Sequence, residues 1–422
     1  MRLPMILVTG AALLAATAAA PGDFEAPPDE PLAASLPARQ VAGPDFHVVD
    51  PVRSDGLMRH YVVESRFGTF PAYGRGSLAI RLQEVAALTR IAATTDVDVV
   101  TKAVAQHVQA DIQTVGSLAA HPVRTVVGIP TGIAHLFKGY TAKARELTER
   151  SSPDDASGSK KTAGARITAD AARYADRYLG VSAADRRWYK QLGVDPYTDN
   201  EVLRKAVHHL AKVDAAANLG MKFASLPGLP YAGEVRRAMD AIYEEDPAVL
   251  RERRRATLAR YGLERAEIAH FENALLLSPT RQQLLEEAAK ALDGVDGRAE
   301  LFRHALSLTS DEEVQVFLRS TVLLAQLHTH RPLARILPGV QLPTAQLVDG
   351  RLALCGAFDS VHWTEDVAGY EQALRAALPA DAPGREAWLS GAISPRARAE
   401  LTARGWDVHD DALAALGEPP VF

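Results

Sequence analysis

The sequence predicts an α+β fold that is predominantly helical, with an N-terminal hairpin plus helices, a central helical domain and a small C-terminal α/β unit. Three observations predict it. Two runs of aromatic and β-branched residues meet around Phe67-Gly68, apolar residues recur at helical spacing in the middle of the chain, and strand-like and helical segments alternate near the C-terminus. The chain has 422 residues, of which 47% are hydrophobic and 23% charged, so it can form several packed domains.

The first residues have the pattern of an export signal. A basic Arg2 precedes an apolar stretch, and the small residues Ala16 and Ala18 form a cleavage site. The alternative is an uncleaved anchor helix, but the apolar run is shorter than the ~20 residues that a span needs. We therefore predict a signal peptide over residues 1–18 and an exported protein, either periplasmic or extracellular.

The next parts of the chain are a leader and a folded N-terminal unit. Residues 19–50 are rich in Pro, Ala and Asp and are predicted to be a disordered leader. Residues 51–150 are predicted to hold the hairpin and amphipathic helices, the first with apolar positions Leu78, Leu82, Val85 and Leu88. The polar segment 151–166 is predicted to be a flexible linker and a domain boundary.

Residues 167–340 are predicted to form the helical domain. Thr198 with Glu201, and Ser310 with Glu313, have the spacing of capping boxes at helix N-termini. Residues 341–422 are predicted to form the α/β unit, because Asp349-Gly350 separates two strand-like runs and later strands alternate with helices. That alternation predicts at least one parallel strand pair.

Composition and the absence of familiar motifs argue against some classes of function without excluding an enzyme. The net charge of −5 argues against a nucleic-acid partner. The sequence holds no P-loop, zincin, nucleophile-elbow, dinucleotide-binding or C-x-x-C motif, and no cofactor or metal is predicted. His328 and His330 lie two positions apart, so at the end of a helix their side chains would point in different directions and suit a shared metal ion badly. The single cysteine, Cys355, lies in an apolar strand-like run and is interpreted as a small buried hydrophobe.

A candidate catalytic cluster lies in the C-terminal unit. Asp359 and His362 follow one predicted strand, Ser390 ends another, and Ser394 opens a helix. Ligands of α/β folds gather at the carboxyl ends of parallel strands, so a hydrolase-like Ser/His/Asp arrangement is conceivable there. The alternative is that Asp359 and Ser394 cap helices while His362 packs between elements.

The stretch "HPVRTVVGIPTGIAHLF" at 121–137 is a candidate contact with a membrane or a partner. It is apolar, interrupted by Gly and Pro, and followed by basic residues. A membrane span and simple burial inside the protein are the other two interpretations. The candidate contact residues are Val123, Val126, Val127, Ile133, Phe137, Lys138 and Lys143.

The segments "FGTFPAYGRGSLAIRLQEVAALTRI", "HPVRTVVGIPTGIAHLFKG" and "WLSGAISPRARAELTARGW" together resemble an uncharacterised family of exported bacterial proteins with no assigned activity. The resemblance covers most of the chain and implies an α-rich layout and a location in the cell envelope. The apolar, Gly/Pro-interrupted stretch with its basic flank motivates the expected function, that of a non-enzymatic envelope protein that binds a partner or the membrane surface. The alternatives are a hydrolase-like enzyme that uses the C-terminal cluster and a helical scaffold for another envelope protein.

Overall fold

The computed structural model of the protein describes residues 24–94, 171–217 and 233–417. It has an N-terminal sheet, a central group of helices and a C-terminal sheet flanked by helices, which confirms the predicted α+β class. Among the described helices, none combines the length and apolar character that crossing a bilayer requires.

The N-terminal unit is an antiparallel sheet with one long helix packed on it. The predicted hairpin is confirmed, because β4 (Arg59–Ser65) and β5 (Gly68–Tyr73) pair in antiparallel register and connect through the turn at Arg66 and Phe67. The helix α3 (Gly74–Thr94) packs its apolar side, including Leu78 and Leu88, into the same core as Tyr61 and Val63. The elements are β1 (Ala42–Gly43), β2 (Phe46–Val48), β3 (Arg53–Ser54), β4 (Arg59–Ser65), β5 (Gly68–Tyr73) and α3 (Gly74–Thr94).

The prediction of a disordered leader is wrong for residues 24–50. This segment forms the short helices α1 (Leu32–Ser35) and α2 (Ala38–Val41) and the first two strands. Its few apolar side chains, among them Leu32 and Leu36, are buried in the core of the N-terminal unit. A composition rich in Pro and polar residues favours disorder only when no neighbouring surface covers the apolar residues, and here the sheet covers them.

The start of the same segment contacts both the C-terminal unit and the N-terminal sheet. The Glu25 carboxylate accepts hydrogen bonds from the Trp363 backbone N–H at 2.5 Å and from the Ser394 hydroxyl at 2.6 Å. The Glu30 carboxylate accepts two from the Arg59 guanidinium, at 2.8 and 3.1 Å. Residues 25–30 therefore form a strap across the C-terminal unit and the N-terminal sheet.

Side chains cap the N-termini of two of the central helices. The predicted capping box of Ser310 and Glu313 is confirmed at the start of α12 (Asp311–His330). The helix α6 is instead capped by Asn200, whose side chain accepts from the Leu203 N–H, while Thr198 bonds to the Asn200 N–H and to Glu84. The helices are α4 (171–178), α5 (Ala183–Leu192), α6 (Glu201–Ala217), α7 (Gly233–Glu244), α8 (Pro247–Arg260), α9 (Arg265–Glu272), α10 (Pro279–Ala291), α11 (Ala299–Ala305) and α12 (Asp311–His330).

The C-terminal unit is a mixed five-stranded sheet in the order β12-β10-β8-β7-β6. The predicted hairpin of β7 and β8 is antiparallel, and the predicted parallel pairing is confirmed for β8 with β10 and for β10 with β12. Thr364 caps α13, and Ser394 caps α14 as predicted. The elements are β6 (Leu333–Ile336), β7 (Thr344–Leu347), β8 (Leu352–Gly356), β9 (Ser360–Val361), α13 (Glu365–Ala377), β10 (Arg385–Leu389), β11 (Ala392–Ile393), α14 (Pro395–Ala403), β12 (Trp406–His409) and α15 (Ala412–Leu416).

The sheet and the central helices share one hydrophobic core. Val322 and Leu324 of α12 belong to the same buried cluster as Cys355 and Trp388 of the sheet. The strand β6 also begins at Leu333, upstream of the boundary expected near residue 340. The C-terminal unit therefore packs onto the helical domain and does not bury a separate core on that face.

Candidate functional site

The described part of the chain contains a cleft of about 940 Å³ between the N-terminal sheet and the central helices. One wall is formed by β4, β5 and α3, and another by the loop 193–199. The third comes from α7 and from the first turns of α10 and α12. Long-range packing of five chain segments creates this space, so no single stretch of sequence indicates it.

The α3 side of the cleft carries an ion-pair network that joins the buried Glu84 and the exposed Asp199 through Arg81. The Arg81 guanidinium donates to both Asp199 carboxylate oxygens, at 2.7 and 2.8 Å, and to Glu84 at 2.9 Å. Glu84 is only 2% exposed and also accepts from the Thr198 hydroxyl and, at 3.1 Å, from the Asn200 amide. These two carboxylates raise the pKa of Arg81 despite its burial, so the cation stays charged.

The N-termini of α10 and α12 carry a second set of paired charges. The Thr280 hydroxyl donates to Asp195 at 2.6 Å, and the Arg281 guanidinium contacts Asp311. Burial raises the pKa of Asp195, although the Thr280 hydrogen bond opposes the shift. Each helix N-terminus therefore has a carboxylate of the protein itself beside it, which matches the helix dipole.

A third polar group is contributed by α12 and the start of α3. The Arg319 guanidinium donates to the Ser77 hydroxyl at 3.1 Å, and Ser77 in turn contacts Gln315 and donates to the Tyr73 carbonyl. Burial lowers the pKa of Arg319 to about 10, while Asp359 acts in the opposite direction. Arg319 is thus a desolvated cation on the cleft wall.

The remaining wall is apolar. The side chains of Val235, Ala238 and Met239 follow each other at helical spacing on α7, and Leu284 of α10 belongs to the same apolar cluster. Tyrosine side chains add aromatic surface, and the rings of Tyr178 and Tyr197 lie 6.2 Å apart in an edge-to-face arrangement. The cleft therefore has an apolar side on α7 and a polar side on α3 and the loop 193–199.

A histidine–aspartate pair lies at the β4 side of the cleft. His60 Nε2 is 3.1 Å from Asp55 Oδ2, and the same oxygen accepts from the Tyr73 hydroxyl at 2.9 Å. Asp55 Oδ1 accepts from the backbone N–H groups of Leu57 and Met58. A carboxylate fixed in this way orients the imidazole, and the described residues offer no hydrogen-bond partner to Nδ1.

The free edge of the N-terminal sheet faces this cleft but is blocked against strand addition. Pro71 in β5 has no backbone N–H, and its carbonyl already accepts from the Arg81 guanidinium at 3.3 Å. The Tyr73 carbonyl accepts from the Ser77 hydroxyl at 2.7 Å. A peptide therefore lacks the row of open backbone groups that β-augmentation requires.

The predicted C-terminal cluster does not form a hydrogen-bonded set among the described residues. Asp359 accepts from the backbone N–H groups of Arg59 and Arg75, and His362 Nε2 is 2.9 Å from the Ser360 hydroxyl. Ser390 donates to the Phe358 carbonyl, and Ser394 donates to Glu25. The alternative interpretation fits this geometry better, since Asp359 and Ser394 both bond at helix N-termini.

The carboxyl ends of the parallel strands are also covered by the chain itself. The backbone N–H groups of Asp359 and Ser360 donate to the Leu57 carbonyl, and that of His362 donates to the Gly56 carbonyl. The loop from Asp55 to Met58 therefore occupies the edge of the sheet where an α/β fold commonly holds its ligand.

Other sequence candidates either lie elsewhere or have structural partners. The seven candidate membrane or partner contacts, from Val123 to Lys143, lie outside the described residues. His328 Nδ1 accepts from the Leu333 N–H at the end of α12, and burial raises the pKa of the Cys355 thiol. In the three described ranges, no group of three or more His, Cys, Asp or Glu side chains could hold a metal ion.

The sequence singled out Thr198 and Ser310 of the cleft lining only as helix-capping residues and predicted no binding site there. Arg81 and Glu84 have the spacing of a helical ion pair, but that spacing is typical of a solvated surface as well. Asp55 and His60 stand five residues apart in no recognised motif. Any functional assignment therefore depends on the geometry described above, because no protein family, curated protein or solved structure matches this chain.

Proposed function

We propose that this is an envelope protein that binds a small molecule in the cleft between the N-terminal sheet and the central helices. The observation that carries the proposal is the cleft itself, with about 940 Å³ of space and one apolar and one polar side. Sites for small molecules typically occupy about 300–1,000 Å³ and combine apolar walls with a few fixed polar groups. Export rests on the signal-peptide pattern, and a contact with the membrane surface rests on the apolar stretch 121–137.

Filling the cleft should abolish binding. We expect that Ile80→Trp, at a half-buried position on the α3 wall, removes the thermal stabilisation that cleft ligands give to the wild type. The measurement is a thermal-shift screen of a small-molecule library, repeated with the variant.

The matched control is Ala86→Trp, which adds the same ring to a half-buried position of α3 outside the cleft lining. Compounds that stabilise the wild type and Ala86→Trp but not Ile80→Trp support the proposal. If every stabilising compound also stabilises Ile80→Trp equally, ligands bind elsewhere and the proposal is wrong.

A hydrolase is the second candidate, and the Asp55–His60 pair favours it more than the C-terminal cluster does. If Nδ1 of His60 removes a proton from water that attacks a bound ester, His60→Gln should lower kcat by roughly 100-fold or more. The measurement is the hydrolysis of p-nitrophenyl octanoate. His47→Gln is the control, because His47 is an exposed histidine on β2 outside the cleft lining. A wild-type rate equal to that of His60→Gln would exclude this role.

The scaffold alternative has less support. On the described part of the chain, four large apolar side chains are exposed: Val49, Leu179, Val249 and Val348. Each comes from a different segment, whereas a partner-binding face usually gathers apolar side chains into a contiguous patch.

A further inference from the structure

We propose that the ligand of the cleft is an uncharged amphiphile, with hydroxyl groups that bond to the α3 side and an apolar tail that lies along α7. This inference rests on the proposed function, because it names the chemical class of the ligand for the same cleft. Four arginines and five carboxylates line the cleft, so its formal charge is nearly balanced before any ligand enters.

Two of the four arginines, Arg81 and Arg281, are paired with carboxylates at close range, while Arg319 donates to the Ser77 hydroxyl. Arg81 holds Asp199 with two parallel hydrogen bonds and Glu84 with a third. Arg281 is in contact with Asp311 at the start of α12. A bidentate guanidinium–carboxylate pair is among the strongest polar contacts in proteins, so these cations already have the partner that an anionic ligand would supply.

An anionic head group must therefore compete with these carboxylates for Arg81 or Arg281, and a cationic head group must compete with the arginines for the carboxylates. The pair of Arg81 and Glu84 is buried, with side chains 16% and 2% exposed. Separating the two partners of such a pair leaves one charge without compensation, which is strongly unfavourable. A hydroxyl group avoids this penalty. A carboxylate has about four lone-pair sites and a guanidinium has five N–H groups, so the existing pairs keep capacity for neutral donors and acceptors.

The apolar side of the cleft fits a hydrocarbon tail. Val235, Ala238 and Met239 lie at helical spacing on α7, and Leu284 packs in the same cluster. Each is at most 9% exposed, so an acyl or alkyl chain would contact their outer edges and complete the burial of this wall. An extended peptide is a poor alternative, since Pro71, Arg81 and Ser77 block the edge of β5.

The experiment compares three probes that share one tail and differ only in charge. Octyl β-glucoside, octyl sulfate and octyltrimethylammonium are titrated into the full chain by calorimetry, each below its critical micelle concentration. We expect octyl β-glucoside to bind at least tenfold more tightly than either charged probe. Ile80→Trp should abolish that binding and Ala86→Trp should keep it, which separates the cleft from adventitious detergent binding.

A charge variant tests the reason for the preference. Asp199→Asn removes one partner of Arg81, so the affinity for octyl sulfate relative to octyl β-glucoside should rise about tenfold. The control Glu244→Gln removes the same charge from an exposed pair with Lys190 outside the cleft lining, and should leave the preference unchanged.

Either charged probe binding as tightly as the glucoside in the wild type would overturn the inference while leaving the proposed function intact. Failure of all three probes to bind would also overturn it. The library screen with Ile80→Trp decides separately whether the cleft binds any small molecule. An unchanged preference in Asp199→Asn would show that paired charge is not the cause, and would overturn the argument.

Discussion

Glu84→Ala should destabilise the protein by about 3–5 kcal/mol, because it breaks a buried ion pair by removing one partner. Glu84 is 2% exposed and accepts hydrogen bonds from Arg81, Thr198 and Asn200, which come from α3 and from the loop that leads into α6. Without the carboxylate, three donors lose their acceptor in a site with little access to water. The measurement is urea unfolding of the wild type and the variant at neutral pH.

Asp199→Asn provides the comparison, since Asp199 pairs with the same Arg81 but its side chain is 55% exposed. Exposed ion pairs contribute little, so this variant should lose no more than about 1 kcal/mol. If Glu84→Ala and Asp199→Asn lose equal amounts of unfolding free energy, burial does not determine how much each carboxylate contributes. Glu84→Gln keeps one acceptor oxygen and should fall between them.

The elements that the sequence predicted correctly are those specified by neighbouring residues. Ser310 and Glu313 stand three residues apart and cap α12 reciprocally, and Ser394 with Pro395 starts α14. The turn between β4 and β5 is likewise specified by residues that are adjacent in the sequence. In each case the interacting groups lie within a few positions of each other, so the local pattern contains the whole interaction.

The cleft could not be predicted because its contacts join residues far apart in the chain. Arg81 meets Asp199 across 118 positions, and Thr280 meets Asp195 across 85. The leader was misjudged for the same reason, since the burial of Leu32 and Leu36 depends on a surface that the strands provide. The composition of a segment indicates how much apolar surface that segment can bury by itself. It does not indicate how much surface another segment provides to cover it.

Asp359 illustrates how a residue can be chosen correctly and still have another role. The sequence offered it as a catalytic residue or as a helix cap, and it accepts from the Arg75 N–H in the first turn of α3, 284 positions away. Its other oxygen accepts from the Arg59 N–H at 3.1 Å. It therefore fixes the C-terminal unit to the N-terminal sheet.

Asp359→Ala should destabilise the protein by about 2–3 kcal/mol, because two backbone N–H groups lose the carboxylate of Asp359, which is 9% exposed, as their acceptor. Asp359→Asn keeps an acceptor oxygen and should cost less at pH 7. The two variants and the wild type are compared by chemical denaturation. A loss for the asparagine variant as large as that for alanine would show that the negative charge, rather than hydrogen-bond acceptance, holds the units together.

The difference in stability between the wild type and Asp359→Asn should change with pH in a defined direction. Burial raises the pKa of Asp359, against the opposing effect of the two backbone N–H groups. A carboxyl with a raised folded-state pKa binds its proton more tightly in the folded protein, so its stabilising contribution is present at low pH. That contribution is lost as the pH rises from the unfolded pKa of about 3.9 through the folded value. The stability of the wild type relative to Asp359→Asn should therefore increase from pH 7 to pH 4, because all other titrating groups are shared. A decrease over that range would mean that the hydrogen bonds outweigh desolvation and that the folded-state pKa is lowered instead.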